Sequence, residues 1–131
     1  MSKFENKFEN LQKAIISLKV NRKFTPKSKI EEQILQNSYM HSFEICYELA
    51  WKTLKDYLAD NGIECQSMPR SVLKAAFQAE IIDDEQVWLQ MIKDRNLASH
   101  QYNESYIIEI VERINDVYVG VFDKLVFSLG K

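Results

Sequence analysis

The sequence predicts a single all-α domain, an antiparallel up-and-down bundle of four to five helices spanning residues 1–131, and three observations carry that prediction. Apolar residues recur at spacings of three and four along most of the chain. Turn formers are scarce, with three Gly and two Pro in 131 residues, too few for the hairpins of an all-β domain. The segments between periodic stretches are short, and short connections between long helices make neighbours antiparallel. A chain of this length buries roughly two-thirds of its unfolded surface, enough for one core without disulfide or metal staples.

The first helix is marked by Phe4, Phe8, Leu11, Ile15 and Leu18, an apolar stripe with Lys, Glu, Asn and Gln on the remaining faces. It fades near Asn21, and Thr25-Pro26 breaks the pattern. A longer second helix runs from about Lys29 to Asn61 with the stripe Ile30, Ile34, Phe43, Tyr47, Ala50, Leu54 and Tyr57 or Leu58. Gly62 is its natural left-handed stop. Pro69 suits the first turn of a third, short helix carrying Leu73, Ala76 and Phe77. Asp83 with Gln86 has capping-box spacing and opens a fourth helix with Val87, Trp88, Met91 and Ile92. Asn103 is a good N-cap for a fifth, which holds Ile107, Ile110, Val111, Ile114, Val117, Tyr118, Val121, Leu125 and Leu129. Ile108, Tyr118 and Phe122 fall off that main stripe. Either the fifth helix is central in the bundle or it faces a second subunit, and a homodimer is expected because two-fold dimers are the commonest soluble oligomers.

The formal net charge is −2, so no global basic field advertises nucleic-acid binding, and any such site must be local. Two cysteines, Cys46 and Cys65, and a charged, amphipathic start point to a reducing compartment, the cytoplasm. No apolar run approaches the ~18 residues of a membrane span, so no membrane partner is expected.

Most site chemistries are thin here. His41, Glu44 and Glu48 share a face of the second helix, but a di-iron site needs matching ligands from other helices, and an exposed polar face is the plainer reading. No glycine-rich loop is present to cradle phosphate, so the chain is not a nucleotidyltransferase by itself, and Asp83-Asp84 reads as helix capping. Cys46 reads as a buried structural thiol. Phe43, Tyr47, Trp51, Tyr57 and Trp88 read as packing.

The exception is Arg95-Asn96-Leu97-Ala98-Ser99-His100-Gln101-Tyr102, at the junction between the fourth and fifth helices. Arg is a permanent planar phosphate clamp. His exchanges a proton near neutral pH, and Tyr adds a phenol. Together they suit phosphodiester chemistry without metal. The plainer alternative pairs Arg95 with Glu104 or Asp94 and makes His100 a helix cap.

At these residues the chain resembles the HEPN superfamily, whose signature is Arg-x4–6-His, here Arg95, Asn96 and His100. It is more closely similar to the nucleotidyltransferase substrate-binding proteins, the HepT-like partners of minimal nucleotidyltransferases. Ser42-Phe43-Glu44, Glu48 to Lys52, Pro69-Arg70, Ala75 to Phe77, Trp88-Leu89 and Asp94 to Glu104 carry the likeness. The resemblance implies a dimerising helical bundle that works beside a separately encoded minimal nucleotidyltransferase, as its substrate-binding subunit in a toxin–antitoxin pair. It also implies an alternative, a metal-independent ribonuclease toxin silenced when the partner attaches AMP to Tyr102. The catalytic residues would then be Arg95 and His100, composite across the dimer, with Asn96 in support. No cofactor is expected in this chain; ATP and magnesium belong on the partner, and RNA or a nucleotide is the expected ligand. A non-catalytic helical interaction module is the remaining reading.

Overall fold

The computed structural model describes the backbone of residues 1–100 and 104–130 and the side chains of residues 1–97 and 105–130. The described residues are helical with no strand: α1 (Lys3–Val20), a 3-10 turn (Asn21–Lys23), α2 (Lys29–Asp60), α3 (Pro69–Gln78), α4 (Glu85–His100), α5 (Glu104–Arg113), a π-helical turn (Ile114–Tyr118) and α6 (Val119–Leu129).

The helix ends are where side chains can satisfy orphan backbone groups. At α1 the Glu5 amide donates to Ser2 Oγ and the Glu5 carboxylate accepts from the Ser2 amide, a full capping box. Ser28 Oγ accepts from the Glu31 amide to open α2. Gly62, at φ 78°, follows the end of α2 in the conformation expected of it. Pro69 begins α3. The cap of α4 is one residue later than the sequence suggests: Asp84 Oδ1 accepts from the Val87 amide at 3.2 Å, and Asp83 is drawn away to pair with Lys124. Asn103, the expected cap of α5, lies outside the described residues.

Cross-helix contacts fix the antiparallel order. Lys7 at the start of α1 pairs with Asp56 at the end of α2, while Asn21 just past α1 accepts from Ser38 early in α2. Lys19 near the end of α1 pairs with Asp123 near the start of α6. Asp83 before α4 reaches Lys124 on α6, and Asp94 late in α4 reaches Arg113 at the end of α5. Buried aromatics join α2, α4 and the C-terminal helices: Phe43 stacks on Tyr118 at 5.3 Å, and Trp88 meets Phe122 edge-on at 6.1 Å.

Two expectations about the stripes are corrected. Ile30 and Ile34 are 71% and 63% exposed. The α1 chain turns off at Asn21, opposite Ser38, so the first turns of α2 extend past the end of α1. Farther along, Tyr118 and Phe122, which fall off the α-helical stripe, are core residues, whereas Val117, on it, is exposed. The π-helical turn explains this. It takes up an extra residue, so the buried face runs Ile110, Ile114, Tyr118, Phe122 at uniform spacings of four before Leu125 and Leu129. Ile108 and, on α3, Phe77 are exposed as well. Among the described residues no helix is long and apolar enough to cross a membrane.

Candidate functional site

Arg95 and Asn96 lie in the last turns of α4, on the side that meets α2 and α3. His100 is the final residue of α4; its side chain, and Tyr102 altogether, lie outside the described residues. The site can therefore be built from Arg95 and what surrounds it.

Arg95 is half-buried, and its Nη2 sits 3.5 Å from Glu44 Oε1 and 3.5 Å from Glu48 Oε1. These carboxylates are one helical turn apart on α2, so both address one guanidinium. Glu48 is held in turn by Trp51 Nε1, which donates at 3.0 Å, and by Lys52 Nζ at 3.6 Å. The face read as a plain solvated surface thus positions the arginine. Asp94, one of the two partners expected for Arg95, is engaged elsewhere; the other, Glu104, has its side chain outside the described residues.

Asp94 is completely buried. It accepts two hydrogen bonds from Arg113, Nε at 2.8 Å and Nη2 at 2.7 Å, one from Gln90 Nε2 at 3.0 Å, and one from the Tyr118 hydroxyl. A buried carboxylate is tolerable only with such compensation. The carboxylate holds the Arg113 guanidinium more firmly charged, and burial with the Asp94 hydrogen bond pushes the Tyr118 phenol well above its ordinary range. The π-helical turn sets the spacing of five between Arg113 and Tyr118, so both reach one carboxylate. This clamp ties α4 to the C-terminal helices one residue before Arg95. Its sequence signal was available: Trp88, Met91 and Asp94 share a helix face, and a carboxylate on an apolar stripe marks a buried pair. The partners Arg113 and Tyr118 carried no such signal.

A cleft of about 290 Å³ opens beside Arg95, lined also by Tyr47, Glu48, Pro69, Arg70 and Asn96. Burial pushes the Tyr47 phenol up to about 12, and Glu48 adds to that; Arg95 and Arg70 oppose it, so one carboxylate and two cations act on this cleft. A second, shallower cleft of about 500 Å³ adjoins it and shares Arg70 and Asn96.

The other candidates are structural. Cys46 is buried, its thiol pushed up to about 12 by desolvation, which makes it unreactive. Cys65 is half-buried, and both are free thiols. His41 is exposed, and among the described residues no group of three or more His, Cys, Asp or Glu side chains could hold a metal. Asp84 caps α4, and a hydrogen bond from Lys124 pulls the Asp83 carboxyl below its usual range.

Residues 6–131 match the family described as nucleotidyltransferase substrate binding protein like. The probable ribonuclease HepT of Haemophilus influenzae is 22% identical to this chain over 116 residues, covering 86% of the chain and 80% of the relative. A crystal structure of a Thermus thermophilus protein superposes with a TM-score of 0.79 at 28% identity, covering 92% of this chain and 99% of its own. The tri-AMPylated HEPN toxin of Shewanella oneidensis, in complex with the MNT antitoxin, gives a TM-score of 0.79 at 17% identity over 99% and 98% of the two chains, a likeness of fold.

Proposed function

The chain belongs to the nucleotidyltransferase substrate-binding protein family, and from that premise we propose that it is the partner, substrate-binding subunit of a separately encoded minimal nucleotidyltransferase, the two forming a HEPN/HepT toxin–antitoxin pair. The observation that carries this is the family match through residues 6–131, which takes in both the Asp94 clamp and the Arg95 cleft. No loop here cradles a nucleoside triphosphate, so ATP and magnesium belong on the partner. Tyr102 is the acceptor of AMP, two residues beyond His100. An adenylyl phosphate on Tyr102, seven residues after Arg95 in the chain, adds negative charge that competes with other phosphates for the cations of the site.

The test is co-expression with the minimal nucleotidyltransferase of a neighbouring gene, followed by affinity purification and, after incubation with ATP and magnesium, intact-mass and peptide analysis. A stable complex and adenylyl mass on the Tyr102 peptide, lost in Tyr102→Phe, are expected. Two folded proteins that neither associate nor transfer AMP would refute the proposal.

The half-buried Arg95 on a cleft that Arg70 also lines favours a second reading, a metal-independent endoribonuclease in the cytoplasm. Cleavage of a phosphodiester without metal needs a base, an acid and cationic stabilisation of the transition state. One chain offers a single suitable histidine, so the proposal requires a homodimer that brings two copies of Arg95 and His100 into one groove, with Asn96 supporting. Cleavage in EDTA that falls at least about a hundredfold in His100→Ala is expected; equal cleavage by both proteins would remove this reading. A chain with neither a nucleotidyltransferase partner nor cleavage would be a plain helical interaction module.

A further inference from the structure

The shallower of the two clefts lies between the start of α3 and the exposed face of α4, and its lining is selective. Arg70 and Lys93 supply two cations, Gln86 and Asn96 supply amides, and Leu89 and Leu97 supply apolar surface. Among the described residues no carboxylate lines it, although the whole chain is net acidic. Neither Arg70 nor Lys93 has an ion pair among the described residues, as is also true of Lys3 and Lys23, so both are available to a ligand. The volume, about 500 Å³, falls within the ~300–1,000 Å³ range of small-molecule sites. Because Arg70 and Asn96 also line the Arg95 cleft, a chain of nucleotides lying in one continues into the other.

We infer that this α3–α4 cleft is a subsite for one nucleotide of a single-stranded RNA, with its phosphodiester on Arg70 and Lys93 and its base over Leu89 and Leu97, edge-on to the amides. Phosphate calls for cations, a base face for apolar or planar surface, and a base edge for groups that both donate and accept; amides do both. An acidic protein surface would use the cations and leave the leucines and amides without a role. The inference rests on the nucleic-acid reading of the Arg95 site and extends it by one nucleotide along the α4 face. It requires no chemistry of Arg70 or Lys93, only charge and position.

The test measures binding of a labelled single-stranded oligoribonucleotide across a salt series in EDTA, with His100→Ala as the parent so that cleavage does not intervene. Arg70→Ala/Lys93→Ala alters two exposed side chains. A pair of equal charge change outside the cleft, Lys3→Ala/Lys23→Ala, controls for the general field. The slope of log affinity on log salt is expected to fall by about 0.7 in the cleft variant, the share of the one phosphate contact that Arg70 and Lys93 make together on a single strand. The control and the charge-conserving Arg70→Lys/Lys93→Arg should keep the parent slope. An unchanged slope in the cleft variant, or an equal fall in the control, would overturn the subsite and leave the nucleic-acid reading standing. A parent that does not bind the oligonucleotide at low salt would overturn both. Loss of the nucleotidyltransferase complex in the cleft variant, with RNA binding intact, would overturn the subsite by giving the cleft to the protein partner.

Discussion

Replacing Arg113 by Ala tests whether the buried carboxylate of Asp94 organises the end of α4. In the folded chain Asp94 is fully buried and Arg113 is 32% exposed, so the two partners are not equivalent. Without Arg113 the carboxylate keeps Gln90 and Tyr118, two neutral donors, and loses its counter-charge and two short hydrogen bonds. Breaking a buried pair from this side costs about 3–5 kcal/mol, a large share of the roughly 5–15 kcal/mol that holds a typical domain. In Asp94→Asn the buried charge is gone and the guanidinium still reaches water, but the amide NH2 faces donors in place of one acceptor, so the cost is about 2 kcal/mol from lost charge-assisted hydrogen bonds and one unsatisfied buried donor. Urea titration followed by circular dichroism measures both, and amide hydrogen exchange locates the change. Arg113→Ala should be the more damaging variant, with lost protection concentrated in the second half of α4. If it costs less than about 1 kcal/mol, or less than Asp94→Asn, the clamp does not carry the load assigned to it.

Three further outcomes follow from the same geometry. The Cys46 thiol ionises near 9 when unfolded and near 12 when buried; the unfolded chain therefore sheds its proton first, and stability present in full below pH 9 is lost as pH rises toward 12. At about 1.4 kcal/mol per pH unit, wild type should lose about 2 kcal/mol more than Cys46→Ala between pH 8 and 10.5 in urea titrations, and equal losses would contradict the burial. The π-helical register makes Phe122→Ala cost about 3–5 kcal/mol while Val117→Ser stays within about 0.5 kcal/mol; thermal or urea unfolding in which Val117 matters more would restore an uninterrupted α-helix. Glu80 follows α3 at φ 61°, a conformation costing a side chain about 1–2 kcal/mol, so Glu80→Gly should raise the unfolding midpoint, and a fall would show that its side chain compensates.

Much of the molecule was legible without coordinates because it depends on local chemistry. Ser2 with Glu5, Gly62 and Pro69 each act on the backbone within a few residues, so their effects follow from sequence neighbours alone. The same holds for α1, whose stripe faces α2 and α6, and for the aromatic residues of α2. Arg95, Asn96, His100 and Tyr102 stood out by residue type and spacing, and the family match takes in that stretch of chain. Asp83 shows the boundary: its spacing to Gln86 promised a cap, but Lys124, forty-one residues away, competes for the carboxylate and the cap passes to Asp84.

What the sequence by itself determined is the helical class and the order of the helices, and it singled out one stretch as the candidate site, because periodicity and residue type are properties of short windows. Only the tertiary structure decided that Ile30 and Ile34 stay exposed, that a π-helical turn carries Tyr118 and Phe122 into the core, that Arg95 answers to Glu44 and Glu48, and that Arg70 and Lys93 share a cleft that no described carboxylate lines. Each of those depends on which residues distant in the chain come within a few ångströms. Burial and ion pairing follow from that distance, and no local pattern encodes it.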